Sequence, residues 1–175
     1  RRTAADQGAR LLTLGGDIQL LDSRLTAEGS YFDLTVDGRV YHELFLPLLG
    51  RYQLSNAPLS VAAAQVAGSS PEQIRRGLAA TCWPGRLEVV SCQPLVVLDG
   101  AHNAPATAEL AQALADYWPG RRILCLMSML ADKQREEALA PLLPRLSRVL
   151  VTTSPYGSRQ GDWQRLAEIC RDGGV

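Results

Sequence analysis

A carboxylate, an imidazole and an amide follow one short apolar run of the sequence. The residues after Leu98 are, in order, Asp99, Gly100, Ala101, His102 and Asn103. A short apolar run is typical of a buried strand, and a proline shortly afterwards favours the start of a helix. In an open parallel sheet, ligands bind outside the carboxyl ends of the strands, where the next helix presents its N-terminal amides. A carboxylate at this position can accept two hydrogen bonds from a ribose diol, with the imidazole and the amide as polar groups beside it.

The same residues also have a purely structural interpretation. Aspartate and asparagine are preferred helix N-caps because their side-chain oxygens accept hydrogen bonds from the first backbone amides. Asp99 and Asn103 suit that role as well as a ligand site. The local chemistry alone leaves both interpretations open.

Several common catalytic motifs are absent from the sequence. It contains no GxGxxG, no GxxxxGK[ST], no HExxH and no GxSxG. An NAD-dependent enzyme, a zinc hydrolase and a serine hydrolase therefore have no motif support.

Elements that alternate along the second half must position the polar cluster. Strands are predicted at residues 95–98, 123–127 and 149–152, and helices at 105–117, 134–143 and 162–171. Short apolar strands that alternate with amphipathic helices indicate a parallel sheet with helical crossovers. From about Trp83 onward the chain is therefore predicted to form a Rossmann-like α/β unit.

The first half follows a different pattern. Residues 31–36 and 39–46 alternate in polarity on either side of Asp37-Gly38, which predicts a β-hairpin. Residues 11–14 could form a further strand. Residues 56–66 are small and apolar on nearly all sides, which predicts a buried helix, and Ser70-Pro71 predicts the cap and first position of another.

The composition limits the classes of partner that the protein is expected to bind. Of the 175 residues, 46% are hydrophobic and 21% are charged, and 18 basic residues balance 18 acidic ones. A net charge of zero gives no basic footprint for nucleic acid and no polybasic membrane patch, and no apolar run approaches the roughly 18 to 20 residues of a membrane span. The first residues lack both an initiator Met and the apolar core of a signal peptide, so we expect a piece of a longer cytoplasmic protein.

The cysteines are spread widely, at positions 82, 92, 125 and 170, with no CxxC pair. Cys92 and Cys125 lie beside apolar strand-like runs, where a free thiol behaves as a small hydrophobe. Buried cytosolic thiols are the favoured interpretation, and disulfides or a metal site are the alternatives.

Three stretches carry a family resemblance, in this order: LLGRYQLSNA at residues 48–57, WPGRLE at 83–88 and LDGAHN at 98–103. Together they resemble folylpolyglutamate synthase and the bifunctional dihydrofolate synthase, within the Mur ligase superfamily. MLADK at 129–133 is similar to the aspartate-lysine element of that family. The PGRLE and DGAHN pair, separated by one short strand, is the most specific part of the resemblance.

The resemblance implies an ATP-dependent amide ligase of three domains. Residues 1–84 would form the last part of the central α/β ATPase domain, and residues 85–175 most of the Rossmann-like, glutamate-binding C-terminal domain. The family's P-loop and its magnesium ligands lie upstream, so no metal ligand is expected here and the fragment alone should be inactive. ATP and Mg²⁺ would be the cofactors, and the nucleotide would lie between the two portions, with a hinge near residues 83–87.

The resemblance also assigns roles to single residues. Asn56 matches an asparagine that contacts adenine, with a helix N-cap as its structural alternative. Arg86 matches a catalytic arginine that reaches the ATP phosphates, for which a planar, permanently charged guanidinium is well suited. Asp99 matches the ribose-binding aspartate. His102 would lie beside the nucleotide, although a histidine bonded to backbone at a helix start suits the position too.

Further assignments concern the amino-acid substrate. Lys133, the only lysine of the chain, could reach the carboxylate of the incoming glutamate, and Ser154 lies in the loop after the third predicted strand, where relatives contact the amino acid. A solvated lysine is the alternative for Lys133. Glu88 is interpreted as structural. The chain departs from the family pattern at Tyr52, where the family has His, and at Ala104, which precedes the expected proline.

The sequence therefore predicts part of a folate ligase that uses ATP, L-glutamate and a folate or dihydropteroate, as a monomer without nucleic-acid or membrane partners. A Mur ligase of peptidoglycan synthesis is the alternative within the same superfamily. A Rossmann-like binding module without catalysis is the alternative of a different class.

Overall fold

A computed structural model describes residues 2–130, 134–153 and 162–175. The chain divides into two compact units, residues 1–97 and 98–175. The first unit contains α1 (Arg2–Asp6), β1 (Ile18–Thr26), β2 (Gly29–Val36), β3 (Arg39–Leu46), α2 (Gln53–Val66), α3 (Pro71–Ala79), β4 (Glu88–Cys92) and all but the last residue of β5 (Leu95–Leu98). The second contains α4 (Ala104–Tyr117), β6 (Leu124–Met127), α5 (Arg135–Leu139), a 3₁₀ turn (Leu143–Arg145), β7 (Arg148–Val151) and α6 (Trp163–Asp172).

The predicted hairpin is confirmed as the centre of an antiparallel sheet in the order β1-β2-β3. Asp37 and Gly38 both have positive φ angles, 51° and 79°, as the tight turn between twisted strands requires. Alternate residues of β2, namely Phe32, Leu34 and Val36, are buried. This face forms the core of the first unit.

A bulge interrupts the pairing of β2 with β3. The register shifts between Phe32 and Leu34, and Glu43 on the opposite strand has a φ of 50°. The Asp33 carboxylate compensates, because it accepts one hydrogen bond from the Glu43 backbone amide (2.8 Å) and pairs with Nδ1 of His42 (2.7 Å). Both interactions lower the pKa of Asp33.

Two helices cover the buried face of the sheet. Ala57, Val61 and Ala62 of α2 and Ile74 and Leu78 of α3 belong to the same apolar cluster as the strands. The start of α3 is as predicted: Ser70 accepts from the Gln73 amide, the Gln73 side chain accepts from the Ser70 amide, and proline occupies the first turn.

The strand considered for residues 11–14 is wrong. That segment makes only an isolated bridge, Leu14 with Ile18, and a turn in which Asp17 accepts from the Thr13 amide. The third strand of the sheet is β1, an edge strand whose residues are mostly exposed. Because neither face of β1 is continuously buried, its sequence lacks the alternation that reveals β2.

The second unit contains the parallel pairing that the α/β pattern predicted. β6 and β7 run parallel, with Leu124 opposite Arg148 and Met127 opposite Val151. One face of this pair packs with α5 and α6 around Ala138, Leu166 and Ile169. The predicted Rossmann-like α/β class is therefore confirmed, although β5, which was predicted as a strand of the same kind, pairs with β4.

The helix predicted over residues 134–143 is too long. α5 ends at Leu139, and a separate 3₁₀ turn covers Leu143–Arg145. Pro141 explains the difference, since proline has no amide hydrogen to donate and its ring clashes with the preceding turn of a helix.

All four cysteines are free, but they are not all buried as predicted. Cys82 and Cys92 are exposed, Cys125 is half-buried and Cys170 is buried. Desolvation raises the pKa values of the Cys125 and Cys170 thiols, which keeps both protonated near neutral pH. Within the described ranges, no helix is long and apolar enough to cross a membrane.

Candidate functional site

Asp99 lies directly after β5 and closes a tight turn. Its Oδ1 accepts a hydrogen bond of 2.7 Å from the Ala101 backbone amide. The side chain is half-buried, and α4 begins only at Ala104, so Asp99 is not the helix cap. The structure thus rejects the capping interpretation for Asp99. The carboxylate follows the end of β5, which pairs with β4, so its predicted place at the ligand-binding edge of a parallel sheet stays a prediction.

Asn103 takes the capping role instead. It has extended backbone angles, and its side chain accepts from the Ala106 amide at 3.0 Å. Pro105 lies in the first turn of α4, so the displaced proline still starts the helix. Thr107 anchors this turn to α5, because its buried hydroxyl donates to the backbone carbonyl oxygen of Ala138.

His102 is exposed and bonded to backbone. Its Nδ1 lies 2.8 Å from the Gly100 carbonyl oxygen. Because a carbonyl oxygen can only accept, Nδ1 carries a hydrogen and the ring is oriented by its own turn. Asp99 and His102 thus each bond to backbone within the same short segment after β5.

Arg86 stands on a loop between two residues with left-handed backbone. Gly85 has a φ of 70° and Leu87 a φ of 46°, and the Leu87 side chain is fully buried. Oε2 of Glu88 accepts from the Gly85 amide at 2.7 Å, which closes the loop. The anchored Leu87 and the Glu88 bond leave the Arg86 side chain exposed. This geometry agrees with the structural interpretation of Glu88.

Arg86 also lines a cavity of about 370 Å³ within the first unit. Trp83, Cys82 and Leu87 form the wall near the arginine, and Pro47 and Leu49 contribute from the segment that precedes α2. The permanently charged guanidinium thus stands beside a mostly apolar recess, where it can bind an anionic group.

Asn56 is exposed in the first turn of α2. The residue at the N-cap position is Tyr52, so the capping alternative for Asn56 is wrong. Its Nδ2 lies 3.5 Å from Oε1 of the buried Gln53, a long contact that orients the amide only loosely. Tyr52, where the chain departs from the family pattern, therefore lies at the start of α2, one turn before Asn56.

The two residues predicted to bind the amino acid, Lys133 and Ser154, lie outside the described residues. Among the residues that are described, no group of three or more His, Cys, Asp or Glu side chains could hold a metal ion.

One buried charge was missed by the sequence analysis. Arg135 is 5% exposed and its guanidinium donates to three backbone carbonyl groups of the second unit. An arginine in the polar sequence QREE is indistinguishable from a solvated one, because the carbonyl groups that it contacts are set by the tertiary structure.

The fold and the polar turn after β5 define a class: an α/β protein with a Rossmann-like second unit. The family model described as "Mur ligase, glutamate ligase domain" matches residues 85–174. This chain therefore belongs to the Mur ligase family.

Two relatives are called dihydrofolate synthase/folylpolyglutamate synthase. The protein from Mycobacterium tuberculosis is 34% identical over 78% of this chain and 29% of its own length. The protein from Bacillus subtilis is 31% identical over 81% of this chain and 34% of its own length.

A solved structure gives the same result. The folylpolyglutamate synthase of Mycobacterium tuberculosis, complexed with ADP, superposes with a TM-score of 0.89 at 31% identity, over 98% of this chain and 39% of that one. The resemblance to folate ligases is therefore confirmed. The chain spans about a third of the length of these two relatives and of this solved structure.

Proposed function

We propose that the full-length protein is an ATP-dependent ligase that joins L-glutamate to folates, and that this chain contributes residues that bind the nucleotide and the amino acid. The observation that supports the proposal most is the Asp99 turn at the end of β5, within a segment that matches the glutamate ligase domain. The relative in complex with ADP supports ATP as the nucleotide.

The reaction has two steps. A carboxylate oxygen of the folate takes the γ-phosphoryl group of ATP, which leaves an acyl phosphate and ADP. The amine of glutamate then attacks the acyl carbon, so that a C–N bond forms, the bond from carbon to the phosphate oxygen breaks, and the amine loses a proton. Inorganic phosphate is the leaving group, and the product is an amide.

Asp99 and Arg86 carry the main roles in nucleotide binding. The Asp99 carboxylate would accept hydrogen bonds from the ribose hydroxyls while its Oδ1 keeps the turn closed. Arg86 would bind the phosphates and neutralise charge as the phosphoryl group moves, because a guanidinium can donate two parallel hydrogen bonds to phosphate oxygens. Arg86 is therefore the residue proposed as catalytic.

Asn56 and His102 would complete the nucleotide contacts. An exposed primary amide can donate to one position of adenine and accept from its exocyclic amine. Asn56 is exposed, and the loose contact with Gln53 can be exchanged for adenine. His102 would present the other edge of its ring to the nucleotide, since its Nδ1 is bonded to Gly100.

The proposal also covers the amino-acid substrate and the metal. Lys133 and Ser154 are proposed to contact the carboxylates of glutamate. Mg²⁺ is proposed to accompany ATP, with protein ligands upstream of this sequence. The proposal also keeps residues 1–84 as the end of an ATPase domain, residues 85–175 as the glutamate-binding domain, and the whole protein as a cytoplasmic monomer.

Release of ADP by the full-length protein tests the proposal. The protein would be given ATP, magnesium and glutamate, with tetrahydrofolate, dihydropteroate or a muramyl-peptide precursor offered separately. We expect turnover with tetrahydrofolate, and turnover with dihydropteroate would add the dihydrofolate synthase activity. Release of ADP only with the muramyl precursor would move the protein to the peptidoglycan branch. No turnover with any acceptor would favour a binding module.

An Arg86→Lys variant tests the proposed role of Arg86 in the chemical step. Lysine keeps the charge at position 86 but cannot form the bidentate contact. We expect kcat to fall by roughly a hundredfold with a smaller change in the KM for ATP, because the lost contact is strongest in the transition state. An unchanged kcat would remove Arg86 from the chemical step.

A further inference from the structure

Arg135 is a buried cation in the second unit, at the first position of α5. Only 5% of the residue is exposed. Its Nη2 donates to the Met129 carbonyl oxygen at 2.8 Å, its Nε to that of Leu130 at 3.2 Å, and its Nη1 to that of Asp162 at 2.8 Å. All three nitrogen atoms of the guanidinium are thus used by backbone carbonyl groups.

The three acceptors come from two separate connections of the parallel sheet. Met129 and Leu130 follow β6, and Asp162 is the cap of α6, the helix after β7. Both connections leave the sheet at the carboxyl ends of their strands, where an α/β protein binds ligands. One side chain therefore fixes the exit from β6 and the entry to α6 relative to each other.

Burial of the Arg135 guanidinium is unfavourable in itself, so a role in holding the three carbonyl groups in place would explain it. A guanidinium taken out of water loses its hydration, and a buried charge is tolerated only when hydrogen bonds replace that hydration. A leucine or methionine could fill the same space in a core that already contains Met129, Leu139 and Leu166. Neither could hold three carbonyl groups in a plane, for which the rigid fork of arginine is suited.

Arg135 and the nearby Arg165 differ in the partners that neutralise their charge. Arg165 is half-exposed and forms ion pairs with Glu136 (2.7 Å) and Glu168 (3.2 Å). Within the described ranges, the hydrogen bonds of the Arg135 guanidinium all go to backbone carbonyl groups. The two arginines therefore offer a matched comparison. Arg135 on α5 bonds to backbone carbonyl groups, and Arg165 on α6 pairs with surface carboxylates.

We propose that Arg135 is a positioning residue for the amino-acid substrate, which it serves by fixing the backbone after β6 and before α6 at the ligand-binding edge of the sheet. The inference rests on the proposed ligase function for its substrate. Arg135 itself does not touch the reacting atoms. It acts through the backbone of the two connections that it joins.

The test uses the full-length protein with Arg135→Met, Arg135→Lys and, as the control, Arg165→Met. Hydrogen exchange of the amides at 128–130 and 162–166 reports the backbone independently of any activity. We expect faster exchange in both segments for Arg135→Met and, for Arg165→Met, no change in the segment 128–130. Steady-state kinetics then give the KM values for glutamate and ATP.

We expect Arg135→Met to raise the KM for glutamate by about tenfold to a hundredfold, since a small displacement of a binding group is costly, while the KM for ATP stays within about twofold. Arg135→Lys should recover part of the loss, because an ammonium can still donate to some of the carbonyl groups. The control should match the wild type.

Three results would overturn the inference. They are unchanged exchange in both segments, faster exchange with an unchanged KM for glutamate, and equal losses in the two KM values, which would mean general destabilisation. A wild-type protein without turnover on any acceptor would instead refute the proposed function, and the amino-acid role of Arg135 with it, whatever the exchange data show.

Discussion

At the scale of residues, the turn after β5 separates two roles that the sequence left open. Asp99 and Asn103 were equally good caps by residue type, yet Asn103 caps α4 and Asp99 closes the preceding turn. The exposure of Asn56 within the first turn of α2 could not be predicted either, because the helix begins three residues earlier than its apolar pattern indicates. Residue types identified the candidates, and backbone geometry distinguished their roles.

Substitution of Asp99 by asparagine tests its role in nucleotide binding. Asparagine keeps an oxygen that can accept from the Ala101 amide, so the turn should persist. It loses the negative charge, and a hydrogen bond to a charged group contributes about 1.5–3 kcal/mol. We expect the KM of the full-length protein for ATP to rise about tenfold to a hundredfold, as measured by steady-state kinetics.

The control for this substitution is Asp172→Asn, at an exposed position at the end of α6. It should leave the KM for ATP unchanged. An Asp99→Asn variant that folds normally and keeps the wild-type KM would show that Asp99 serves the turn alone.

Asp33 predicts a dependence of stability on pH. The His42 side chain and the Glu43 amide lower the pKa of Asp33 below its ordinary value of 3.8. A carboxyl group with a lowered pKa in the folded state stabilises that state above the ordinary value, and the contribution is lost as the pH falls through the folded-state pKa. Melting temperatures of wild type and Asp33→Asn should therefore differ at pH 6, and the difference should shrink as the pH falls from 3.8 through the lower folded-state pKa. A constant difference would contradict the assignment.

At the level of helices and strands, sequence periodicity predicted the elements that bury one face and failed for those that do not. The hairpin of β2 and β3 and the capped start of α3 were predicted correctly because alternation and capping residues are local signals. The edge strand β1 was missed because it buries little, and α5 was predicted too long across Pro141. The bulge at Asp33 has no signal in the sequence, since it depends on the pairing of two distant segments.

Two glycines of the antiparallel sheet provide a matched test of its geometry. A Cβ on Gly29 would run into the carbonyl oxygen of Leu46 and lie 2.8 Å from the Cα of Pro47, whereas a Cβ on Gly38 would meet open space. Both have positive φ angles. We expect Gly38→Ala to cost about 1–2 kcal/mol from left-handed backbone alone, and Gly29→Ala to cost clearly more.

Urea unfolding of the two alanine variants measures these costs. Backbone atoms of β3 cannot move aside as a side-chain end could, so the ranking is the test. Equal free energies of unfolding for the two variants would contradict the close approach of Gly29 to Leu46.

At the scale of the whole molecule, family membership could be predicted further than site architecture. Three short motifs resembled the folate ligases, and the family match over residues 85–174 bears the resemblance out. The two compact units meet in the sequence between residues 97 and 98, whereas the family match begins at residue 85, so the predicted domain boundary at 84/85 stays a prediction. The backbone contacts of Arg135 arise only from tertiary structure, and no motif marks them.

The mass of the folate after reaction shows whether the protein adds glutamate to it. Full-length protein would be incubated with ATP, magnesium, glutamate and tetrahydrofolate, and the folate analysed by mass spectrometry, with a reaction lacking ATP as the control. If the protein is a folate ligase, we expect a product heavier by one glutamate residue that forms only with ATP. A folate of unchanged mass, from protein that binds ATP and is fully folded, would contradict it.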